Sequence, residues 1–309
     1  MFSISLVAGI ATAQMSTKER CSLAVVSNLI PSNTPVCESG VVQQMAVRGH
    51  AFEENQMGIA SILALGPDYN EKQALGWFEK AARHGYAAAQ VNLAVMYANG
   101  WGTQANYGAA LQWLHAAAEQ HSALAYYNLG ILYMQGRGVL QDNAEAFRWF
   151  HKGAEAGDSG AQTNLGYMYD QGLACERNLA TAVSWYRKAA ESGNSLGQNN
   201  LADAYLRGEG VPQDDAAAFS WFQKAAQQGH TGARIKLGYM YATGRGTKKD
   251  PAAAYAWISA ADSAGDARGR ELLHSLEKQL TTAQIAEARE RAGRLRNEEP
   301  RLSAQMYAQ

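Results

Sequence analysis

The chain predicts an all-α fold, a right-handed αα-superhelix (solenoid) of 36-residue helix–turn–helix repeats, and three observations carry that prediction. Tryptophan recurs at Trp77, Trp113, Trp149, Trp185, Trp221 and Trp257, a constant spacing of 36 residues. Seven residues before each stands Asn or Asp, at Asn70, Asn106, Asp142, Asn178, Asp214 and Asp250. Eight residues after stands Gly, at Gly85, Gly157, Gly193, Gly229 and Gly265, with His121 the exception. Self-similarity at this period marks one supersecondary unit stacked on itself, with its core distributed along the array.

Residues 1–13 read as a signal peptide. An apolar stretch from Phe2 to Ile10 runs into the small residues Ala11-Thr12-Ala13, and cleavage after Ala13 would begin the mature chain at Gln14. The competing reading is an apolar first helix of a cytosolic protein. Residues 14–49 form a degenerate capping unit. One period before Asn70 stands Thr34, followed by Pro35, an N-cap and first-turn pair whose helix would run to Gly49. Within this cap Cys21 falls in the first helix and Cys37 in the first turn of the second. A bridge between them would staple the unit and contribute roughly 3 kcal/mol; the alternative is two buried thiols. Cys175 is left without a partner.

Residues 50–265 hold six repeats of two helices each. The second helix opens at the Asx column, whose side-chain oxygen accepts from free first-turn N–H groups, and closes at the Gly column, where left-handed backbone is least costly. The first helix is marked by Leu93, Leu129, Leu165, Leu201 and Leu237, each four residues before a tyrosine, and stops at Gly100, Gly136, Gly172, Gly208 and Gly244. Offsets of three and four belong to a helix. The Trp and Tyr columns read as core. Residues 266–309 supply C-terminal capping helices and a tail, with Thr281 opening a charged helix through Arg289, Arg291 and Arg294.

The segments Ala161-Gln162-Thr163-Asn164-Leu165-Gly166-Tyr167-Met168-Tyr169, Gly208-Glu209-Gly210-Val211 with Asp214, and Trp221-Phe222-Gln223-Lys224-Ala225-Ala226 resemble the Sel-one-like repeat (SLR). The resemblance covers residues 50–265 and implies an αα-solenoid related to the tetratricopeptide repeat. It also implies a non-enzymatic scaffold or adaptor, which binds a protein or extended peptide. The alternative it raises is a cysteine-poor relative of the secreted penicillin-binding or β-lactamase-like SLR proteins. Those carry a cysteine pair in repeat after repeat; here only the cap has one.

Composition narrows the remaining classes. With 27 basic against 28 acidic residues the net charge is −1, so no global field favours nucleic acid. No apolar run of roughly 18 residues follows the N-terminus, so no transmembrane segment is expected in the mature chain. The signal and cap cysteines point to a periplasmic or secreted protein, with a cytoplasmic one as the alternative. His115 and His151 share a column, but stacked helices would hold them about 10 Å apart, too far to share one metal ion. No nucleophile elbow, zincin motif or phosphate-binding loop occurs; catalytic, cofactor and metal sites are therefore expected to be absent.

A working surface follows from the helical wheel. At about 100° per residue, Ala89, Leu93, Ala94, Met96 and Tyr97 fill the packed arc of a first helix and leave positions such as 91, 92 and 95 open. By analogy with related helical repeats, first helices line the concave face. The open columns hold Asn92, Asn128, Asn164 and Asn200, then Lys236, and beside them Tyr127, Ile131, Tyr167 and Tyr239. Amides can pair with an extended peptide backbone while Tyr and Ile anchor its side chains. Each Asn bonding within its own repeat is the bland alternative. Trp101, between Gly100 and Gly102, is expected to be an exposed anchor at the rim.

Overall fold

The computed structural model describes residues 50–63, 70–261 and 267–297. Cys21, Cys37, the signal segment and the N-terminal cap lie outside them. Among the described residues there are fourteen α-helices and no strand. They fall into two compact units, one up to Ala161 and one from Gln162 onward.

In the first unit, helix pairs follow the repeat. These are α1 (Ala51–Leu63) with α2 (Glu71–Arg83), α3 (Ala87–Asn99) with α4 (Tyr107–Glu119), and α5 (Ala123–Gln135) with α6 (Asn143–Glu155). Each helix has 13 residues, so the two layers match in length. Helix α7 (Ser159–Gln171) begins in this unit and continues into the second, where it precedes α8 (Leu179–Glu191). The pairs α9 (Ser195–Arg207) with α10 (Asp215–Gln227) and α11 (Thr231–Thr243) with α12 (Pro251–Ala260) follow. Two further helices, α13 (Ala267–Glu277) and α14 (Thr282–Asn297), both pack on α12.

Local chemistry sets the ends of these helices. Asn70, Asn106, Asp142, Asn178, Asp214 and Asp250 accept from the backbone N–H three residues on, satisfying a donor that the first turn leaves free. Pro251 occupies the first turn after Asp250. The glycines that end first helices are left-handed, as at Gly208 with φ 70°, and so is the column after second helices, as at Gly193 with φ 87°. His121 adopts φ 61° without being glycine, with its ring Nδ1 3.2 Å from the Tyr126 hydroxyl.

A capping column that the sequence pattern did not disclose opens the first helices. Ser122, Asp158, Asn194 and His230 accept, in turn, from the N–H of Ala125, Ala161, Gly197 and Ala233. His230 does so through Nδ1, which must therefore be unprotonated. Burial, and then the charge of Lys236, lower its pKa, while Asp203 acts in the opposite direction. Burial raises Asp158 to about 6, against the pull of its backbone hydrogen bonds.

The core differs from the sequence reading at both aromatic columns: Tyr97, Tyr133, Tyr169, Tyr205 and Tyr241 are half-buried. The Trp column is half-buried from Trp77 to Trp221, and only Trp257 is buried. The enclosed residue is the one that follows it: Phe78, Leu114, Phe150, Tyr186, Phe222 and Ile258. These side chains meet the first helix where it has least bulk; a Cβ placed on Gly130 would lie 2.6 Å from the Phe150 ring. The tryptophans line seams between layers instead. Trp221 packs both on the cluster around Tyr186 and Leu201 and on the one around Phe222 and Leu237. Their outer faces are covered one turn on, where Lys80, Lys152, Lys188 and Lys224 stand 3.9–4.4 Å from the ring centroids of Trp77, Trp149, Trp185 and Trp221.

A buried polar column runs through the first helices as Glu54, Gln90, Gln162, Gln198 and Arg234, interrupted by Tyr126. Gln90 donates to the Ala82 carbonyl and accepts from Gln120; Gln198 repeats both contacts with Ala190 and Gln228. Arg234, 1% exposed, donates to the carbonyls of Ala226, Ala260 and Leu295 at 2.8–3.0 Å. Those three carbonyls lie in the last turns of α10, α12 and α14, where partial negative charge collects. Thr281 and Gln284 close a reciprocal capping box at the start of α14.

Candidate partner-binding surface

The first helices position the predicted surface residues, and the structure divides them. In the first unit, α3 and α5 are apolar around most of their circumference, and a helix of that kind buries more than a single stripe. Val91 and Val95 are accordingly enclosed, and Ile131 is 0% exposed, so Ile131 is a packing residue and not an open anchor. Asn128 is 1% exposed, its Nδ2 donating to the Leu124 carbonyl 2.8 Å away within its own helix. Asn92 is half-buried and donates to Asn55 in the preceding repeat at 3.0 Å. The expected ladder of open amides is therefore absent here. Tyr127 is half-buried, its ring tilted 6.2 Å from that of Phe150. Trp101, expected to be exposed, is half-buried and packs on the cluster of Phe78, Leu93 and Met96.

The second unit keeps more of this face open. Asn164 is buried, whereas Tyr167 and Asn200 are half-buried and Tyr239 is 51% exposed. Charge joins the amides between α9 and α11. Lys236 Nζ donates to Asn199 Oδ1 at 3.2 Å and to an oxygen of Asp203, and Asn199 Nδ2 donates to Asn200 Oδ1 at 3.1 Å. Tyr167, Asp170, Tyr186, Asn200 and Asp203 line a cavity of about 190 Å³ beside this network. The Tyr186 phenol is pushed well above the ordinary range, first by burial and then by the Asp170 carboxylate, with which it shares a hydrogen bond. None of this was evident from the wheel, although the polar residues at columns held by Val95 and Ile131 in the first unit were its signal.

Among the described residues no three His, Cys, Asp or Glu side chains are arranged to hold a metal ion, and no helix is long and apolar enough to cross a membrane. Cys175 is half-buried, and burial raises its thiol pKa.

Comparison with known proteins agrees with this architecture. The model of the Sel1 repeat matches six times, at residues 55–86, 87–122, 123–158, 159–194, 195–230 and 232–266. A Sel1 repeat protein from Oxalobacter formigenes is 29% identical with a TM-score of 0.64, over 82% of this chain and 97% of that one. A protective antigen present in uropathogenic Escherichia coli strains, displaying an SLR fold, is 29% identical with a TM-score of 0.50. That alignment covers 86% of this chain but 64% of the antigen, so the chain spans less than two thirds of its length. No curated protein matches.

Proposed function

Because the chain belongs to the Sel1-repeat family, whose members are generally protein–protein interaction scaffolds, we propose that it is a non-enzymatic, extracytoplasmic adaptor that holds a protein or extended peptide on the face of its first helices. The observation that carries the reading is the change in character of that face from Gln162 onward. Where the first unit buries Val95 and Ile131, the second presents Tyr167, Asp203 and Tyr239, and none of these three is buried. Aromatic groups beside amides and an ion pair, on a surface that packing does not fully enclose, suit recognition of another chain. Of the residues expected from the sequence, Asn200, Tyr167 and Tyr239 are the contact set under this proposal.

Site-specific photocrosslinking tests it. A crosslinker at Tyr239 should form adducts with one defined partner in intact cells, while the same group at Ser220, exposed on the second-helix layer, should form none with that partner. Equal labelling from both positions would move the surface elsewhere. The purified chain should not hydrolyse β-lactams.

A further inference from the structure

A repeat protein carries its own controls, because each column shows what packing alone selects at that position. The seam between α8 and α9 departs from its columns in several places at once. Ala204 stands where neighbouring repeats have Met96, Leu132, Met168 and Met240, and only Ala60 of the irregular first repeat is as small. Val183 stands where the others have Leu75, Leu111, Phe147, Phe219 and Tyr255. Both residues line the 190 Å³ cavity, whose space the larger side chains would fill.

Polar groups surround the same space. Tyr186 brings a hydroxyl to a column otherwise made of Phe, Leu and Ile; Asp170 replaces Ile62, Ala98, Met134, Leu206 and Ala242; Asp203 replaces Ile59, Val95 and Ile131, with tyrosine at the other two positions of its column. A phenol and two carboxylates thus stand where apolar residues serve elsewhere, Tyr186 sharing a hydrogen bond with Asp170 and Asp203 paired with Lys236. Emptied volume and added acceptors coincide at one seam, and packing explains neither.

We propose that this cavity is a subsite for a single basic side chain, arginine foremost, carried by a segment lying along the first helices. The proposal rests on the reading of that face as the partner surface. A volume of 190 Å³ is below the range of about 300–1,000 Å³ typical of small-molecule sites and suits one side chain. The contacts of Lys236 and Asn199 with Asp203 both fall on Oδ2. Tyr167 and Tyr186 offer ring surface, and a planar guanidinium uses carboxylates and aromatic faces together better than an ammonium does. Arg207 and Glu209, also in the lining, approach one another to 3.7 Å and are exposed, so their charges offset at the rim. Lys236 and Arg177 approach Asp203 and Asp170 without lining the cavity, and a carboxylate has about four acceptor positions, more than the two donors that each meets here.

The test uses the full chain labelled with fluorotyrosine, followed by ¹⁹F NMR, with N-acetylarginine N-methylamide as probe and its citrulline counterpart as the neutral isostere. The arginine probe should shift the Tyr167 and Tyr186 resonances saturably, and the citrulline probe should not. Asp170→Asn and Asp203→Asn should each weaken binding at least about tenfold in a chain that still melts cooperatively. Ala204→Met restores the residue of its column, and should abolish binding while raising the melting temperature. Equal response to citrulline, no saturable response, or binding that survives Ala204→Met would each overturn the subsite. If the arginine probe fails while Tyr239 still crosslinks its partner, the subsite falls and the surface stands. If the probe binds as described and Tyr239 crosslinks nothing, the surface reading falls and the subsite is supported.

Discussion

Replacing Phe150 with Ala should destabilise the chain more than replacing its neighbour Trp149, although tryptophan is the larger residue and the more regular column. Phe150 is fully enclosed, and its ring lies against the backbone of α5 at Gly130, which has no side chain able to move into the vacated space. Loss of burial alone costs about 1.5–3 kcal/mol, and the cavity that cannot collapse brings the total to about 3–5 kcal/mol. Trp149 is half-buried, stacked 5.8 Å from Tyr126 and covered by Lys152 at 4.4 Å. Its truncation removes roughly half of that burial and an exposed cation–π contact of about 0.5–1 kcal/mol, or about 2 kcal/mol altogether. Urea denaturation followed by far-UV circular dichroism measures both. Repeat arrays can unfold in stages, so midpoints should be compared alongside extrapolated free energies. A larger loss in Trp149→Ala than in Phe150→Ala would refute the assignment of the core to the residue after tryptophan.

Two caps give opposite pH dependences. His230 has a folded pKa below its unfolded value near 6.5, so its stabilising effect is complete above that pH and is lost as pH falls below it; His230→Asn should flatten this acid limb in thermal melts. Asp158 has a folded pKa raised from 3.8 to about 6, so stability declines as pH rises across that window. Asp158→Asn should therefore be more stable than the parent at neutral pH, by on the order of 3 kcal/mol, with little difference near pH 4. Arg234→Gln keeps a donor for Ala226 and loses those for Ala260 and Leu295, at about 1.5 kcal/mol each; hydrogen exchange should then quicken in α14. If the protein is exported, native N-terminal sequencing should begin at or near Gln14, and thiol labelling after denaturation should find Cys175 alone; three labelled cysteines with Met1 retained would place it in the cytosol.

The elements were legible because their ends are written in local chemistry. An Asx side chain capping its own helix, or a glycine turning left-handed after one, needs only residues a few positions away, and the Asn70 and Gly208 columns display both. What depended on the surroundings of a helix was less legible. A single helical wheel treated Asn128 and Ile131 as open because it considered one packed arc, whereas α5 is apolar nearly all round and buries both. The regularity of tryptophan drew attention from the variable but always bulky residue beside it, which takes the interior position. The buried Gln and Arg column was overlooked because long polar side chains suggest solvent until the helix end they reach is known. Ala204 and Val183 were visible as the small members of their columns, but only their burial shows that the missing volume is left open.

Arg234 also breaks the pattern by which one layer prepares for the next. Gln90 and Gln198 each take one carbonyl from the preceding layer and offer an oxygen to the end of their own repeat, so the next layer can be added on the same terms. Arginine has donors only, and its third bond goes to α14, a helix outside the series. The register of repetition thus ends at a side chain that demands a different kind of neighbour. A seventh repeat spliced after Ala260 would displace α14 and leave a buried guanidinium short of an acceptor, whereas one inserted ahead of Thr231 would leave the ending intact. Lengthening or shortening this chain is therefore a question of which side of residue 234 the cut is made.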